Sequence, residues 1–143
     1  MSSSSPLSDA FPSDDLGGVA SLLDIELSEI GPERVVGTMP VTSNHHQPFG
    51  MLHGGVSVVL AESVASVGAH LAAPDGRTAV GLEVNANHVR SVQDGRLVAV
   101  GTPLHTGRST HVWDVKIRRS GDEALVCVSR CTLAVIESPD APS

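Results

Sequence analysis

One carboxylate lies in the middle of the most apolar stretch of the chain, and it is the first candidate for chemistry. Residues 53–72 read HGGVSVVLAESVASVGAHLA, and Glu62 is the only acidic residue among them. No lysine or arginine lies three or four residues away, so a helix would give Glu62 no local ion pair. A buried carboxylate is costly unless it is paired or used, which makes Glu62 a candidate nucleophile or general base. The alternative interpretation is that Glu62 lies on a solvent-exposed strip of the helix. The spacing alone does not decide between these two interpretations.

The same stretch begins with residues that suit an anion-binding helix start. Free backbone N–H groups and the positive end of the helix dipole can stabilise developing negative charge. Gly54 and Gly55 would let a substrate oxygen reach the backbone, although they would equally serve a tight turn. Glu62 follows about two turns later, roughly 10 Å along the axis. We therefore expect a second copy of the chain to bring its Glu62 to His53 and Gly55, which would combine an oxyanion site with a nucleophile or base for acyl transfer.

Helical periodicity predicts that residues 53–72 form one buried helix that ends before Pro74. One face is large and apolar, and it comprises Val56, Leu60, Val64, Val67 and Leu71. A second face is made of small residues, and it comprises Ala61, Ala65, Gly68 and Ala69. The small face predicts that a neighbouring element approaches this helix closely.

The rest of the chain reads as strands around that helix. A short helix is predicted at 16–23, a hairpin of strands at 24–30 and 34–41, a loop at 42–52, and strands at 78–86, 96–104, 111–118 and 124–136. In the first of these later strands, Val80, Leu82 and Val84 alternate with polar residues and glycine. The order predicts an α+β fold, with an antiparallel sheet wrapped around one long central helix. Its edge strands would be satisfied by pairing between two copies of the chain.

Composition limits the classes of function. The 143 residues predict one domain at 16–137 between disordered tails at 1–15 and 138–143. The net charge of −7 argues against nucleic-acid binding. No signal peptide or membrane segment is recognised, so we expect a cytoplasmic protein without a membrane partner.

Cys127 and Cys131 are four residues apart on a predicted strand, which is too far apart for a disulfide. Both are expected to be small core residues.

Histidines near the helix start raise the question of a metal. His45, His46 and His53 supply three imidazoles, but no acidic or cysteine partner accompanies them in the sequence. We therefore expect no metal site.

Three stretches of the sequence resemble a known family. They are QPFGMLHGGVSVVLAESVAS, VGLEVNANHVRSV and PLHTGRSTHVWDVKI. Together they resemble hotdog-fold acyl-CoA thioesterases of the 4-hydroxybenzoyl-CoA thioesterase-like branch, and the resemblance extends over about residues 17–136. Within that branch the chain is most similar to enzymes that hydrolyse 1,4-dihydroxy-2-naphthoyl-CoA in menaquinone synthesis, and nearly as similar to proofreading thioesterases of enterobactin synthesis.

The resemblance implies roles for five catalytic residues. Glu62 matches the family's nucleophile or general base, and the Gly55 N–H matches the group that polarises the thioester carbonyl. Gln47 and His53 match polar groups that flank this carbonyl. Ser66 matches a hydroxyl that holds the attacking water or the intermediate.

The resemblance also implies which segments bind coenzyme A. They comprise Gly81; the stretch His88, Val89, Arg90 and Ser91; and the turn His105, Thr106, Gly107, Arg108, Ser109 and Thr110. Arg90 and Arg108 could contact the phosphates of coenzyme A despite the acidic net charge. The alternative for each is an ordinary solvated charge, and Arg108 fits that alternative better than Arg90 does. We expect the acyl group to lie among Val, Leu and Ala side chains and Phe49.

These roles imply hydrolysis of an aromatic acyl-CoA, namely 1,4-dihydroxy-2-naphthoyl-CoA, without a metal or redox cofactor, because coenzyme A is part of the substrate. The family's assembly implies a dimer-built site in a homotetramer. One alternative is a proofreading or housekeeping thioesterase acting on other aroyl-CoA, on medium-chain acyl-CoA or on an aryl carrier protein. A hotdog hydratase fits the pattern poorly, and a non-catalytic acyl-CoA sensor would have no need of Glu62.

Overall fold

The structure is a computed structural model that describes residues 16–139. The predicted N-terminal tail and residues 140–143 of the predicted C-terminal tail lie outside the described residues. The elements, in chain order, are α1 (Gly18–Leu22), β1 (Glu26–Glu29), β2 (Val35–Pro40), a 3-10 turn (Ser43–His45), α2 (Gly54–Ala72), β3 (Arg77–His88), β4 (Arg96–Thr106), β5 (Thr110–Arg119) and β6 (Leu125–Glu137). Each predicted helix and strand is present, with ends that differ from the prediction by at most two residues.

The strands form one antiparallel sheet in the order β1-β2-β4-β5-β6-β3. Helix α2 contacts five of the six strands and lies along the concave face of the sheet. This is the predicted α+β arrangement and the hotdog fold. Strands β1 and β3 are the two edges of the sheet, and β3 is the longer, with 12 residues.

Helix α2 lies against the sheet through its small residues. The small face predicted from the sequence is fully buried, and Leu60, Val64 and Val67 of the large face are buried beside it. At Gly68 a Cβ atom would come within 2.2 Å of the Trp113 ring. At Gly101, on β4, a Cβ atom would come within 2.7 Å of Val64. The backbones of the helix and the sheet therefore lie close together at these glycines. This face of the helix is part of the core, and the opposite face is not covered by the sheet.

Strand β3 departs from the alternation that its sequence suggests. Val80 and Leu82, expected to share a face with Val84, are 42% and 61% exposed, whereas Val84 packs against the core. The cause is a register shift between Gly81 and Glu83 in the pairing with β6, which leaves Leu82 as an extra residue. A bulge of this kind reverses the faces of all residues on one side of it. As a result Gly81, which the pattern placed away from the core, faces α2.

Both cysteines are free and buried, as the sequence indicated. Burial raises the pKa of the Cys131 thiol to about 12, and the nearby carboxylates of Glu62 and Glu83 act in the same direction. Burial also raises the pKa of Cys127. Both side chains are therefore protonated thiols in the core, which is unfavourable for a nucleophile.

Helix α2 is long and apolar enough to cross a membrane by length and composition alone. In this fold it is the core helix, because eight of its residues are buried beneath the sheet.

The contact between Gly68 and Trp113 predicts a sharp loss of stability on Gly68→Ala. Trp113 is fully buried, so its ring cannot move aside for the new methyl group. Overpacking of this kind costs about 1–3 kcal/mol or more, which urea unfolding would measure. The control is Gly31→Ala, where the new Cβ would lie no closer than 3.4 Å to any neighbour. Equal stability of the two variants would contradict the close approach.

Candidate active site

Glu62 lines a recess between α1 and the exposed side of α2, which we call the acyl cleft. It has a volume of about 400 Å³. It is lined by Leu16, Gly17, Val19, Ala20, Val59, Glu62, Ser63, Ser66 and Val67. Most of these side chains are apolar, so the cleft presents one carboxylate and two hydroxyl-bearing residues to an apolar space. Glu62 and Ser66, predicted as catalytic partners, lie one helical turn apart in it.

The Glu62 carboxylate lies directly against the backbone of Gly81 on β3. A Cβ atom at position 81 would come within 2.1 Å of Oε2 of Glu62. Gly81 therefore provides the space that the carboxylate occupies. Glu62 itself is half-buried, and among residues 16–139 no ion pair or protein hydrogen bond engages it. The structure thus places Gly81, assigned from the sequence to coenzyme A, beside the carboxylate that the sequence analysis predicts to be catalytic.

A second recess, which we call the polar cavity, lies at the N-terminal end of α2. Its volume is about 360 Å³. It is lined by Gln47, Leu52, Gly54, Ser57, His88, Val89, Arg90, Ser91 and Val126. The structure therefore brings the predicted segment 88–91 together with Gln47 and the helix start. At Gly54 a Cβ atom would come within 2.9 Å of Nε2 of His88, so the imidazole covers the glycine closely.

The backbone N–H groups at the start of α2 differ in whether the helix supplies them with a hydrogen-bond acceptor. The Gly55 N–H donates to Nδ1 of His53 at 2.8 Å, so His53 is the side-chain cap of α2. The Val56 and Ser57 N–H groups both donate to the His53 carbonyl, at 3.0 and 3.4 Å. Gly54 is the first helical residue, whose N–H has no intrahelical acceptor, and it lines the polar cavity. In this conformation Gly54 is thus better placed than Gly55 to donate to a ligand in the cavity.

The amide of Gln47 is oriented by its own loop. Its Oε1 accepts from the Phe49 N–H at 2.6 Å and from the Met51 N–H at 3.3 Å. Because the oxygen is engaged, the amide nitrogen remains as a donor for the cavity that Gln47 lines. Phe49, expected in the acyl pocket, is 86% exposed at the tip of this loop and lines neither recess.

The two segments assigned to coenzyme A lie at opposite ends of the sheet. His88 pairs with Cys127 on β6, whereas Thr110 pairs with Ala134. Seven residues of strand separate these positions on β6, roughly 23 Å. Residues 105–110 form the β4–β5 turn, closed by the Gly107 N–H donating to the Thr110 carbonyl at 2.8 Å. Within one chain the structure does not bring this turn to the polar cavity.

A buried histidine follows the β4–β5 turn. His111 is 2% exposed, and burial lowers its pKa, with His105 nearby acting in the same direction. The neutral form of His111 is therefore favoured, and His111 packs as a core residue.

The three histidines considered for a metal are engaged separately. His45 is fully buried, and its Nδ1 accepts from the Thr42 N–H at 3.1 Å while Nε2 donates to the Leu23 carbonyl at 2.8 Å. His46 donates to the Gln93 carbonyl at 2.7 Å. Within residues 16–139, no three His, Cys, Asp or Glu side chains are grouped so that they could hold a metal ion.

Sequence reasoning missed several residues of both recesses. The acyl cleft includes Leu16, Val19 and Ala20, because α1 packs across the exposed side of α2. Nothing in the sequence indicates that packing. Ser57 lies three residues after Gly54, and residues with this spacing share one face of a helix. The sequence could therefore have indicated that Ser57 borders the same cavity as Gly54.

Comparison with known proteins identifies relatives of this chain. Residues 49–126 match the sequence model of the thioesterase superfamily. The chain is 47% identical over 120 residues to a 1,4-dihydroxy-2-naphthoyl-CoA hydrolase of Escherichia coli, covering 84% of this chain and 88% of that protein. It is 39% identical over 121 residues to a proofreading thioesterase of Cronobacter turicensis, covering 85% and 88%. A thioesterase crystal structure from Haemophilus influenzae superposes with a TM-score of 0.82 at 44% identity, covering 89% and 88%.

The His53 cap predicts a stability change that does not depend on catalysis. His53→Ala removes the acceptor of the Gly55 N–H, and loss of a side-chain cap costs about 0.5–2 kcal/mol. His53→Asn supplies another good capping side chain and should recover most of the loss. Urea unfolding of the three proteins would measure this. If His53→Ala is as stable as the wild type, the bond from Gly55 to His53 contributes nothing to the fold.

Proposed function

The chain belongs to the thioesterase superfamily and is an acyl-CoA thioesterase, and from this we propose that it hydrolyses an aromatic acyl-CoA with Glu62 as the reactive carboxylate. The observation that carries the proposal is the position of Glu62. Its carboxylate borders an apolar cleft that can take an acyl group, and Gly81 leaves the space in which the carboxylate lies. Without an ion pair or a hydrogen bond to any side chain or backbone group of residues 16–139, the Glu62 carboxylate is available to a substrate or to water.

The thioester carbonyl is held at the start of α2 in this proposal. Gly54 and Gln47 both line the polar cavity at the positive end of the helix dipole, so the Gly54 N–H and the Gln47 amide nitrogen are the donors proposed for the carbonyl oxygen. The Gly55 N–H can join them only when it leaves Nδ1 of His53. These donors stabilise the negative charge that forms on the carbonyl oxygen when the carbon is attacked.

Two routes of hydrolysis are consistent with this arrangement. In one, a Glu62 oxygen attacks the carbonyl carbon, the C–S bond breaks, the thiolate of coenzyme A leaves, and water cleaves the resulting anhydride. In the other, Glu62 takes a proton from water as the water attacks, and returns the proton as the free acid and thiol form. In both, the Ser66 hydroxyl is in reach to hold the water. Neither route calls on a metal or redox cofactor.

The site requires two subunits. Within one chain, the Glu62 carboxylate lies about two helical turns from the helix start, roughly 10 Å along the axis. Gly81 contacts Glu62 and His88 contacts Gly54, so β3 touches both half-sites at points seven residues apart. Each protomer thus carries a carbonyl-binding half and a carboxylate half that do not meet.

Pairing of two β3 edges would join these halves. Among the described residues, strand β3 has an unpaired edge 12 residues long, with Val80 and Leu82 exposed on it. In an antiparallel pair centred near Val84, one copy's Gly81 lies opposite the other copy's His88. The carboxylate half of one subunit then faces the polar cavity of its partner. The same symmetry brings the β4–β5 turn of one subunit to the end of the sheet that carries Arg90 of the other.

Assembly beyond the dimer is proposed from the family resemblance. The outer face of the sheet carries partly exposed aliphatic side chains, among them Leu104 (56% exposed) and Ile136 (36% exposed). Such a face is suited to contact with a second dimer, so we propose a homotetramer. We also propose the cytoplasmic location that the sequence analysis predicts.

The acyl group is proposed to be 1,4-dihydroxy-2-naphthoyl. The support is the identity of 47% to a hydrolase of that name and the apolar lining of a cleft of about 400 Å³, a volume in the range of small-molecule sites. The likeness to a proofreading thioesterase supports other aroyl or medium-chain thioesters, or an aryl carrier protein, as the alternative substrates.

Replacement of Glu62 tests the mechanism. Glu62→Ala should lower kcat by about a thousandfold or more, since it removes the nucleophile or base, and Glu62→Asp should be slow because the carboxylate is withdrawn by one methylene. Thiol release would be followed for dihydroxynaphthoyl-, benzoyl-, phenylacetyl-, hexanoyl- and lauroyl-CoA. Gly81→Ala, which displaces the carboxylate, should also be impaired, whereas Gly31→Ala should not. Turnover by Glu62→Ala near that of the wild type would exclude this role.

A subunit-mixing experiment tests the shared site. Gln47→Ala and Glu62→Ala chains, each nearly inactive, are unfolded together and refolded. If sites are built across a dimer, each mixed dimer regains one intact site, and about a quarter of the wild-type activity returns with random pairing. Sites contained in one chain would give no recovery. Light scattering of the wild type should show a mass of at least two 14.8 kDa chains, and an active monomer would contradict the proposal.

A further inference from the structure

Ser57 carries a buried hydroxyl without a protein partner. Within residues 16–139 it is the only hydroxyl of this kind, and Ser57 is 0% exposed. A buried polar group left unpaired costs about 1–3 kcal/mol, and proteins pair nearly all such groups. The residues on either side of Ser57 in the helix are valines. An apolar side chain at position 57 would therefore satisfy the packing, and packing gives no reason for a hydroxyl there. The position therefore indicates that the hydroxyl has a partner that does not belong to residues 16–139 of the chain.

Ser57 borders the polar cavity in company with the donors already described. Gln47, Gly54 and His88 line the same cavity. Side chains on a helix tilt toward its N-terminus and lie over the preceding turn. The Ser57 hydroxyl consequently lies over the turn that begins at Gly54. An oxygen atom bound by the Gly54 N–H would be within reach of this hydroxyl.

We propose that Ser57 is a further substrate-binding residue, whose hydroxyl donates a hydrogen bond to the thioester carbonyl oxygen beside the Gly54 N–H. The inference rests on the proposed function of the site. The bond strengthens as the carbonyl oxygen becomes negative during attack, so Ser57 acts mainly on the transition state. The hydroxyl has no acceptor among residues 16–139 to give up, unlike the Gly55 N–H. Since Ser57 is 0% exposed, the substrate oxygen reaches it when the cavity wall opens on binding.

A structural role would have a different signature. A helical serine can donate to the carbonyl four residues earlier, which here is that of His53. In that case the hydroxyl would contribute to the helix and not to the substrate. Stability and kinetics therefore separate the two roles.

The first experiment replaces each of two buried serines with alanine. Ser57→Ala should lower kcat by about tenfold or more with little change in KM, since it removes one donor to the oxyanion. Its Tm should equal or exceed that of the wild type, because an unpaired buried group is lost. Ser129 is the matched control: it is 1% exposed, and its hydroxyl donates to the Asn85 carbonyl at 2.9 Å. Ser129→Ala should lower Tm by a few degrees and leave kcat unchanged.

A second pair of variants isolates the hydroxyl from the volume of the side chain. Threonine and valine are nearly isosteric, so Ser57→Thr should retain clearly more of the wild-type kcat than Ser57→Val. Equal kcat in this pair, wild-type kcat in Ser57→Ala, or a loss of Tm in Ser57→Ala without a kinetic change would each overturn the inference while the wild type remains active. A wild type that hydrolyses none of the acyl-CoA thioesters would overturn the proposed function, and this inference with it.

Discussion

The close approach of α2 to the sheet is the constraint on which the rest of the structure depends. Trp113 occupies the space that a side chain at Gly68 would take, and Val64 fills the space over Gly37 and Gly101. These contacts fix the rotation of the helix, because only one face can come this near the sheet. With that face buried, Glu62 and Ser66 are turned toward α1 and the edge strand, where the acyl cleft forms.

The same helix divides the chemistry between its start and its middle. The start offers backbone N–H groups and the positive end of the dipole, which suit a developing oxyanion. The middle offers a carboxylate in apolar surroundings, which suits attack on a carbonyl carbon. A helix cannot bring its own start and middle together, since about two turns separate them. The proposed division of the site across two subunits therefore follows from helix geometry, and the edge of β3 that is unpaired among the described residues is the element that can join them.

Glycines at three places matter because they lack a side chain, not because their backbone is flexible. Gly81 leaves room for the Glu62 carboxylate, Gly54 leaves room for the His88 ring, and Gly68 leaves room for Trp113. In each case the neighbouring side chain occupies the volume that a Cβ would need. The pair of glycines at the helix start, ambiguous in the sequence, thus has distinct uses, because Gly54 faces the cavity and Gly55 donates to His53.

The sequence by itself determined the helices and strands and made Glu62 the candidate for the reactive residue. Periodicity predicted α2 and its small face, alternation predicted the strands, and the lack of a local ion pair made Glu62 a candidate, because these signals depend only on near neighbours along the chain. Tertiary structure decided the rest. The bulge at Leu82 turned Gly81 toward Glu62, α1 became a wall of the acyl cleft, and Ser57 came to border the polar cavity. Such relations join residues distant in sequence through pairing register and packing, which no local pattern encodes.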